Sequence, residues 1–159
     1  MNAREEMYAV VRQRLDGIWD SGADAIALMA TVACELHAAF DRFSWTGFYR
    51  VIAPELLAVG PYQGGHGCLL IPFARGVCGR CARSGRTQVV GDVLADPEHI
   101  ACSAATRAEI VVPVMVPGAG LRAVLDIDAE QPDAFDATDC RELEAICARL
   151  GQALGEHAG

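Results

Sequence analysis

The chain contains no lysine. All thirteen of its basic side chains are arginine, set against twenty-one acids, for a formal net charge of −8. The arginines are scattered, so the basic stripe that grips a phosphate backbone is missing and nucleic acid is not an expected partner. No apolar run is long enough to span a bilayer, and no basic segment leading into an apolar one opens the chain. Neither a membrane nor a secretory route is expected, and the expected location is the cytoplasm. Internal repeats, linkers and low-complexity tracts are absent from the pattern. Charged residues make up only 21% and hydrophobic residues 52%, which excludes disorder. A length of 159 residues fits one domain spanning 1–159. Cysteine, in contrast, is plentiful: seven residues. In a reducing compartment that points to metal binding or thiol chemistry more than to structural disulfides.

The hydrophobic pattern predicts a helix over 4–20, on Met7, Val10, Val11, Leu15, Ile18 and Trp19. A second runs from Asp24, its N-cap, to about Phe40, on Ile26, Leu28, Met29, Val32 and Leu36. Within it Cys34 reads as a small buried hydrophobe and His37 carries little functional weight. Strands are expected over 44–52, 56–59, 68–71 and 87–90, with Gly60-Pro61 ending the second. A short helix over 76–84 stops at Gly85. A long polar loop follows over 91–107, a length that often marks function. A hairpin joins 109–116 to 121–127, and a last helix covers 136–154, capped by Asp136 or Thr138. Its apolar stripe is Leu143, Ile146, Leu150 and Leu154, with Cys140 and Cys147 on or near it. Hairpin connections dominate, so the class is α+β: a largely antiparallel central sheet flanked by helices.

Four cysteines fall between Gly60 and Pro113. Cys102 sits in the long loop, three residues after His99 and near Arg107. Loop exposure and a basic neighbourhood suit a reactive thiolate; an inert loop cysteine fits equally. Cys68 follows a Gly-rich loop that can move to let two thiols meet; a buried strand residue is the plainer account. Cys78 and Cys81 form a solitary CxxC on a helix. It reads as a weak redox motif, or as half of a zinc site completed by His66, Cys68, His99 or Cys102, though the spacing matches no compact zinc module.

The acids are placed by the hairpin. Glu109 opens EIVVPVMV, and Asp126 and Asp128 close AVLDID. In an antiparallel pair the start of one strand lies beside the end of the other, and residues 126 and 128 share a face. Clustered carboxyls raise one another's pKa, which keeps a proton available near neutrality. Trp45 and Tyr49 share a face of their strand and can wall a small pocket for a methyl or thioether group. Solvated strand-end acids fit the first set equally well, and ordinary core packing is the simpler reading of the second.

Taken together, WTGFY (45–49), LLAVGPYQG (56–64), CLLIPFARGVCG (68–79), TQVVGDV (87–93), HIAC (99–102), EIVVPV (109–114) and AVLDID (123–128) resemble, in order, the free methionine-(R)-sulfoxide reductases, which are built on the GAF domain. The resemblance spans roughly 44–128. It implies a GAF-like fold and an enzyme that reduces the R epimer of free methionine sulfoxide, with thioredoxin as final reductant, no cofactor, no metal and a homodimeric state. It further implies Cys102 as nucleophile, Cys68 as resolving thiol and disulfide partner, and Cys78 as a second resolver. Glu109, Asp126 and Asp128 would hold and protonate the sulfoxide oxygen, and Trp45 and Tyr49 would enclose the S-methyl group. Three positions depart from the family pattern. Ser103 stands where an Asp is usual, Ala129 where Ser is frequent, and Cys81 where a small residue is usual. The rival expectation is a GAF module that senses a small molecule without catalysis.

Overall fold

The computed structural model describes residues 1–157; the last two residues of the expected domain lie outside them. The elements run α1 (Ala3–Leu15), α2 (Ala25–Ala39), β1 (Trp45–Ala53), β2 (Leu56–Gln63), β3 (Leu70–Pro72), α3 (Gly76–Ser84), β4 (Gln88–Val90), β5 (Ala108–Val116), β6 (Gly120–Ala129) and α4 (Ala137–Glu156). The strands form one six-stranded sheet in the order β3-β2-β1-β6-β5-β4. Every pairing is antiparallel. The expected α+β class holds.

The sheet has two unlike faces, because side chains alternate along each strand. Phe48, Ile110, Val112, Leu125 and Ile127 point to the face covered by α1, α2 and α4, and form the larger core with Tyr8, Leu28, Leu36, Leu143 and Leu150. Tyr49, Val111 and Val124 point the other way, into a smaller core closed by Val77, Cys78 and Cys81 of α3. The larger core is built of apolar side chains, with Thr46 and the ion-paired Asp139 as the buried polar groups on its side. The hairpin acids and the CxxC all fall on the small-core side.

Helix starts follow their caps. Asn2 and Glu5 make a reciprocal capping box on α1. Asp24 accepts from the Ala27 backbone N–H, and Asp136 caps α4. Several expectations need correction. Helix α1 ends at Leu15 rather than at residue 20, and Gly17, a poor helix former, lies in the turn that follows. Its inward stripe is Tyr8, Val11 and Leu15, while Met7 and Val10 face solvent. Ile26 is likewise exposed. Cys34 is exposed, not buried. It lies two residues past Val32, which turns it about 200° away from the Leu28–Val32–Leu36 stripe.

Strand β2 does not stop at Gly60-Pro61 but continues to Gln63. Its partner β3 reaches only Leu56–Ala58, and the pairing with β1 breaks register between Gly47 and Tyr49. Pro61 therefore sits at an irregular, edge-like position where no ladder donor is required. Strand β3 begins at Leu70, so Cys68 belongs to the loop before it. The long loop over 91–107 carries a single 3₁₀ turn, Val93–Ala95.

Candidate active site

Three strands supply the floor of a cavity on the small-core face. In the β1–β6 ladder Trp45 lies opposite Asp128 and Gly47 opposite Asp126. In the β5–β6 ladder Glu109 lies opposite Asp128. Aromatic and acidic side chains thus alternate across one face. Cys78 of α3 forms the wall above them, and His99 and Cys102 approach from the long loop. The cavity encloses about 200 Å³, below the roughly 300–1,000 Å³ of sites for drug-sized ligands.

Trp45 stacks between Tyr49 and Tyr62, with ring centroids 5.7 and 5.2 Å away. Its indole Nε1 donates to the Gly65 carbonyl at 2.8 Å. That bond draws the Gly-rich loop over the ring. Gly64 adopts φ +114°, and a Cβ there would stand 2.9 Å from the indole, so both conformation and closeness require glycine.

Cys68 and Cys102 are joined by a disulfide with their Cα atoms 6.0 Å apart, linking the loop before β3 to the long loop. The base of the long loop is pinned by an arginine inside the CxxC. Arg80 donates to Asp96 at 2.8 and 3.2 Å, to Glu98 at 3.0 Å and to Gln88 at 2.8 Å. Arg83 adds a contact to Glu98 at 3.1 Å. At the far end, the Arg107 backbone N–H donates to the Ala129 carbonyl and its own carbonyl accepts from Val93. Arg107 pairs with Asp92 at 3.6 Å, which draws its charge toward that acid and away from the thiol role given to it in the sequence. Between these anchors, residues 100–105 make only local backbone bonds.

Burial controls the charges. Asp126 and Asp128 are pushed well above the ordinary carboxylate range, by loss of water first and then by the negative charge of Glu109. The Cys78 thiol is pushed up by burial and then by the Asp126, Glu109 and Asp128 charges. Tyr49 is pushed up for the same two reasons. Burial alone raises Cys81 to about 12. Each of these shifts favours the protonated form, for the two aspartates and for the CxxC thiols alike.

The sequence-derived set largely converges. Trp45, Tyr49, Cys78, Cys102, Glu109, Asp126 and Asp128 all line the cavity, and Cys68 is bound to Cys102. Cys81 is buried in the small core behind Cys78. His37 lies on the other side of the sheet, its Nδ1 3.0 Å from Thr46 Oγ1. Among the described residues the zinc constellation expected around the CxxC does not assemble: Cys68 and Cys102 are joined to each other, and neither Cys81 nor a histidine belongs to a cluster of donor atoms. Among the described residues, Cys78, Glu109 and Asp126 offer one donor atom each within 4.8 Å of one another, a set that suits a cation or shared protons. The sequence reading named His99 only as a possible zinc ligand beside Cys102 and gave Arg80 no role. Arg80 carried a signal, being the one charged residue between two apolar-facing cysteines. His99 stands 3.3 Å from Glu109 through its Nδ1, a contact no spacing rule predicts.

The sheet is covered by helices on one face and holds a small, partly open cavity on the other, with the Cys68–Cys102 pair beside it, an architecture that suits a small ligand. A family model described as the GAF domain matches residues 23–155. A structure of free methionine-R-sulfoxide reductase from Neisseria meningitidis in complex with its substrate superposes with a TM-score of 0.91 at 37% identity, over 100% of this chain and 96% of that one. Protein YtsP of Bacillus subtilis is 36% identical over 96% of this chain and 94% of its own length. The free methionine-R-sulfoxide reductase of Saccharomyces cerevisiae is 32% identical over 94% of this chain and 86% of its own length. The chain belongs to the GAF domain family that includes the free methionine-R-sulfoxide reductases.

Proposed function

We propose that this chain is a one-domain oxidoreductase that reduces free methionine (R)-sulfoxide to methionine. The observation that carries the reading is the Cys68–Cys102 disulfide at the mouth of a cavity floored by two carboxyls of raised pKa. The reading assigns one role to each part. The Cys102 thiolate attacks the sulfoxide sulfur. Asp126 and Asp128, with Glu109 beside them, hold the sulfoxide oxygen and protonate it, because an unprotonated oxygen is a poor leaving group. The oxygen passes to Cys102 as a sulfenic acid and methionine departs, its sulfur reduced by two electrons. The Cys68 thiol then attacks the Cys102 sulfur, the hydroxyl leaves as water, and the disulfide closes. Cys78 is held as a second resolver. A protein dithiol, thioredoxin in this reading, reopens the disulfide.

Trp45 and Tyr49 give the S-methyl group an aromatic wall. A cavity of about 200 Å³ suits a single amino acid and leaves no groove for a peptide. Nothing in the sequence of steps calls for a cofactor. A cytoplasmic setting keeps the free thiols reduced between turnovers, and a homodimer is the assembly proposed.

The deciding experiment follows NADPH consumption with thioredoxin and thioredoxin reductase, supplying separated R and S epimers of free methionine sulfoxide. Turnover of the R epimer alone, lost in Cys102→Ser, is the expected result. Folded, reduced protein that turns over neither epimer would move the assignment to a GAF ligand sensor.

A further inference from the structure

Among the titratable groups that line the cavity, His99 has been given no part in the chemistry above. Its side chain is 12% exposed, and its Nδ1 stands 3.3 Å from Glu109 Oε2, near enough for an ion pair. That nitrogen is buried and makes no hydrogen bond, and so is Oδ1 of Asp126. A donor and an acceptor therefore both stand open in residues that line one cavity.

The proposed reaction has a matching gap. For each sulfoxide reduced, Cys102 loses a proton and the sulfoxide oxygen gains one from a carboxylic acid. The acid must recover that proton before the next substrate. Asp126 and Glu109 are each only 6% exposed, which slows direct exchange with water. An imidazole is the side chain whose unperturbed pKa lies nearest neutrality, so it loads and unloads a proton at small cost. The base of its loop is also the fixed part, since Asp96 and Glu98 are tied to Arg80. His99 thus keeps its place when residues 100–105 move with Cys102.

We infer that His99, acting through Glu109, returns the proton to the acids that serve the sulfoxide oxygen. This role rests on the reductase reading. The proton passes from water to His99, from the imidazolium to the Glu109 carboxylate, and from there to Asp126 or Asp128; no electrons move. His99 does not touch the reacting atoms and is a positioning residue in that sense. The charged and titratable groups around it are Glu109 from β5, Asp126 and Asp128 from β6, Cys78 and Arg80 from α3, Asp96, Glu98 and Cys102 from its own loop, and His66 from the opposite loop.

The test is the steady-state rate of methionine formation over many turnovers, at saturating sulfoxide and dithiol reductant, measured across pH for wild type, His99→Gln and His99→Ala. Glutamine keeps polarity near Glu109 but cannot carry the charge. The wild-type rate should fall as the imidazole loses its proton, and His99→Gln should lack that limb. At pH 7 it should run roughly 10- to 100-fold slower, with half-saturation by substrate within about twofold of wild type. Added free imidazole should speed His99→Ala in proportion to its concentration. Asp128 is partly open to the cavity, and a proton entering there would bypass His99. A wild-type rate and pH profile in His99→Gln would report that bypass and overturn the inference. So would a loss confined to substrate binding, or to folding, without imidazole rescue. Wild-type protein that forms no methionine would instead defeat the reductase reading itself.

Discussion

Glu109 and Asp128 are direct cross-strand partners, and a one-residue irregularity in the hairpin puts them there. From the turn, Val116 pairs with Gly120 and Met115 with Leu121, but Val114 pairs with Ala123. Arg122 is the extra residue. Without that bulge Glu109 would lie opposite Ile127, whose side chain belongs to the large core, and would leave the face that carries the aspartates.

Packing these acids together has a stability cost of predictable sign. The folded pKa of Asp126 is raised above its unfolded value, near 3.9, so the folded state binds the extra proton. Stability contributed by that proton is fully present below the unfolded pKa and is lost as pH rises through the folded one. Asp126→Asn removes the burden. The variant should match wild type in melting temperature near pH 4 and exceed it at pH 8. Each pKa unit of upward shift is worth about 1.4 kcal/mol, or roughly 2–4 °C per kcal/mol at this size. Turnover of the same variant should fall about 10²- to 10⁴-fold through loss of the acid. Thermal melts at the two pH values, beside the turnover assay, check both halves; a variant less stable at pH 8 would refute the charge argument.

The CxxC should divide into an active and an inert cysteine. Cys78 faces the cavity acids, whereas Cys81 is fully buried and its thiol is raised to about 12. A thiol so rarely ionised at neutral pH is a poor nucleophile. Cys81→Ala is expected to keep turnover within about twofold of wild type, since only packing changes. Mass mapping of disulfides after one equivalent of sulfoxide should find Cys78, not Cys81, in any pair beyond Cys68–Cys102.

Much of this site was legible because short-range rules governed it. The brief Pro117–Gly120 turn brought Glu109 to the end of the hairpin that holds Asp126 and Asp128, though the bulge that sets its face was not legible, and the period of two put Trp45 and Tyr49 on one face. The pairing of Cys68 with Cys102 came only from the family resemblance, since 34 residues separate them and no local rule joins their loops. The path of β2 past Pro61 was hidden because edge position is a property of the whole sheet. Cys34 is exposed although its helix is apolar, because helical phase turns it away from the Leu28–Val32–Leu36 stripe. Arg80 and His99 gained meaning only when the long loop was seen folded back onto α3 and β5.

Asp139 should matter to stability and not to chemistry. It lies in the first turn of α4, is fully buried, and is not among the residues that line the cavity. It accepts from Tyr8 Oη at 2.7 Å, from Arg4 at 2.6 Å, from Arg42, and from the Asp136 backbone N–H at 2.9 Å. Asp139→Ala leaves the buried Tyr8 phenol without its acceptor and strips Arg4 and Arg42 back to Asp136 and the Ala134 carbonyl, which costs about 3 kcal/mol. Urea titration should show a lower midpoint with an unchanged slope. Turnover per folded molecule should stay near wild type at low temperature.

Gly47 tests the aromatic wall. It lies between Trp45 and Tyr49 on β1, opposite Asp126. A Cβ at this position would overlap Tyr62 Cβ and stand 2.6 Å from the Trp45 ring. The indole could yield only by breaking its stack with Tyr62 and its bond to the Gly65 carbonyl. Gly47→Ala is therefore expected to lose about 1–3 kcal/mol of stability from overpacking. It should also raise KM for the sulfoxide by about tenfold, because a misplaced ring no longer covers the methyl group; one methylene's worth of pocket contact is worth about that much. The acids and thiols are untouched by the change, so kcat at saturation should fall less than KM rises. Steady-state kinetics beside a tryptophan fluorescence spectrum would decide it. An unshifted spectrum with wild-type KM would mean that Trp45 has room to move and does not shape the cavity.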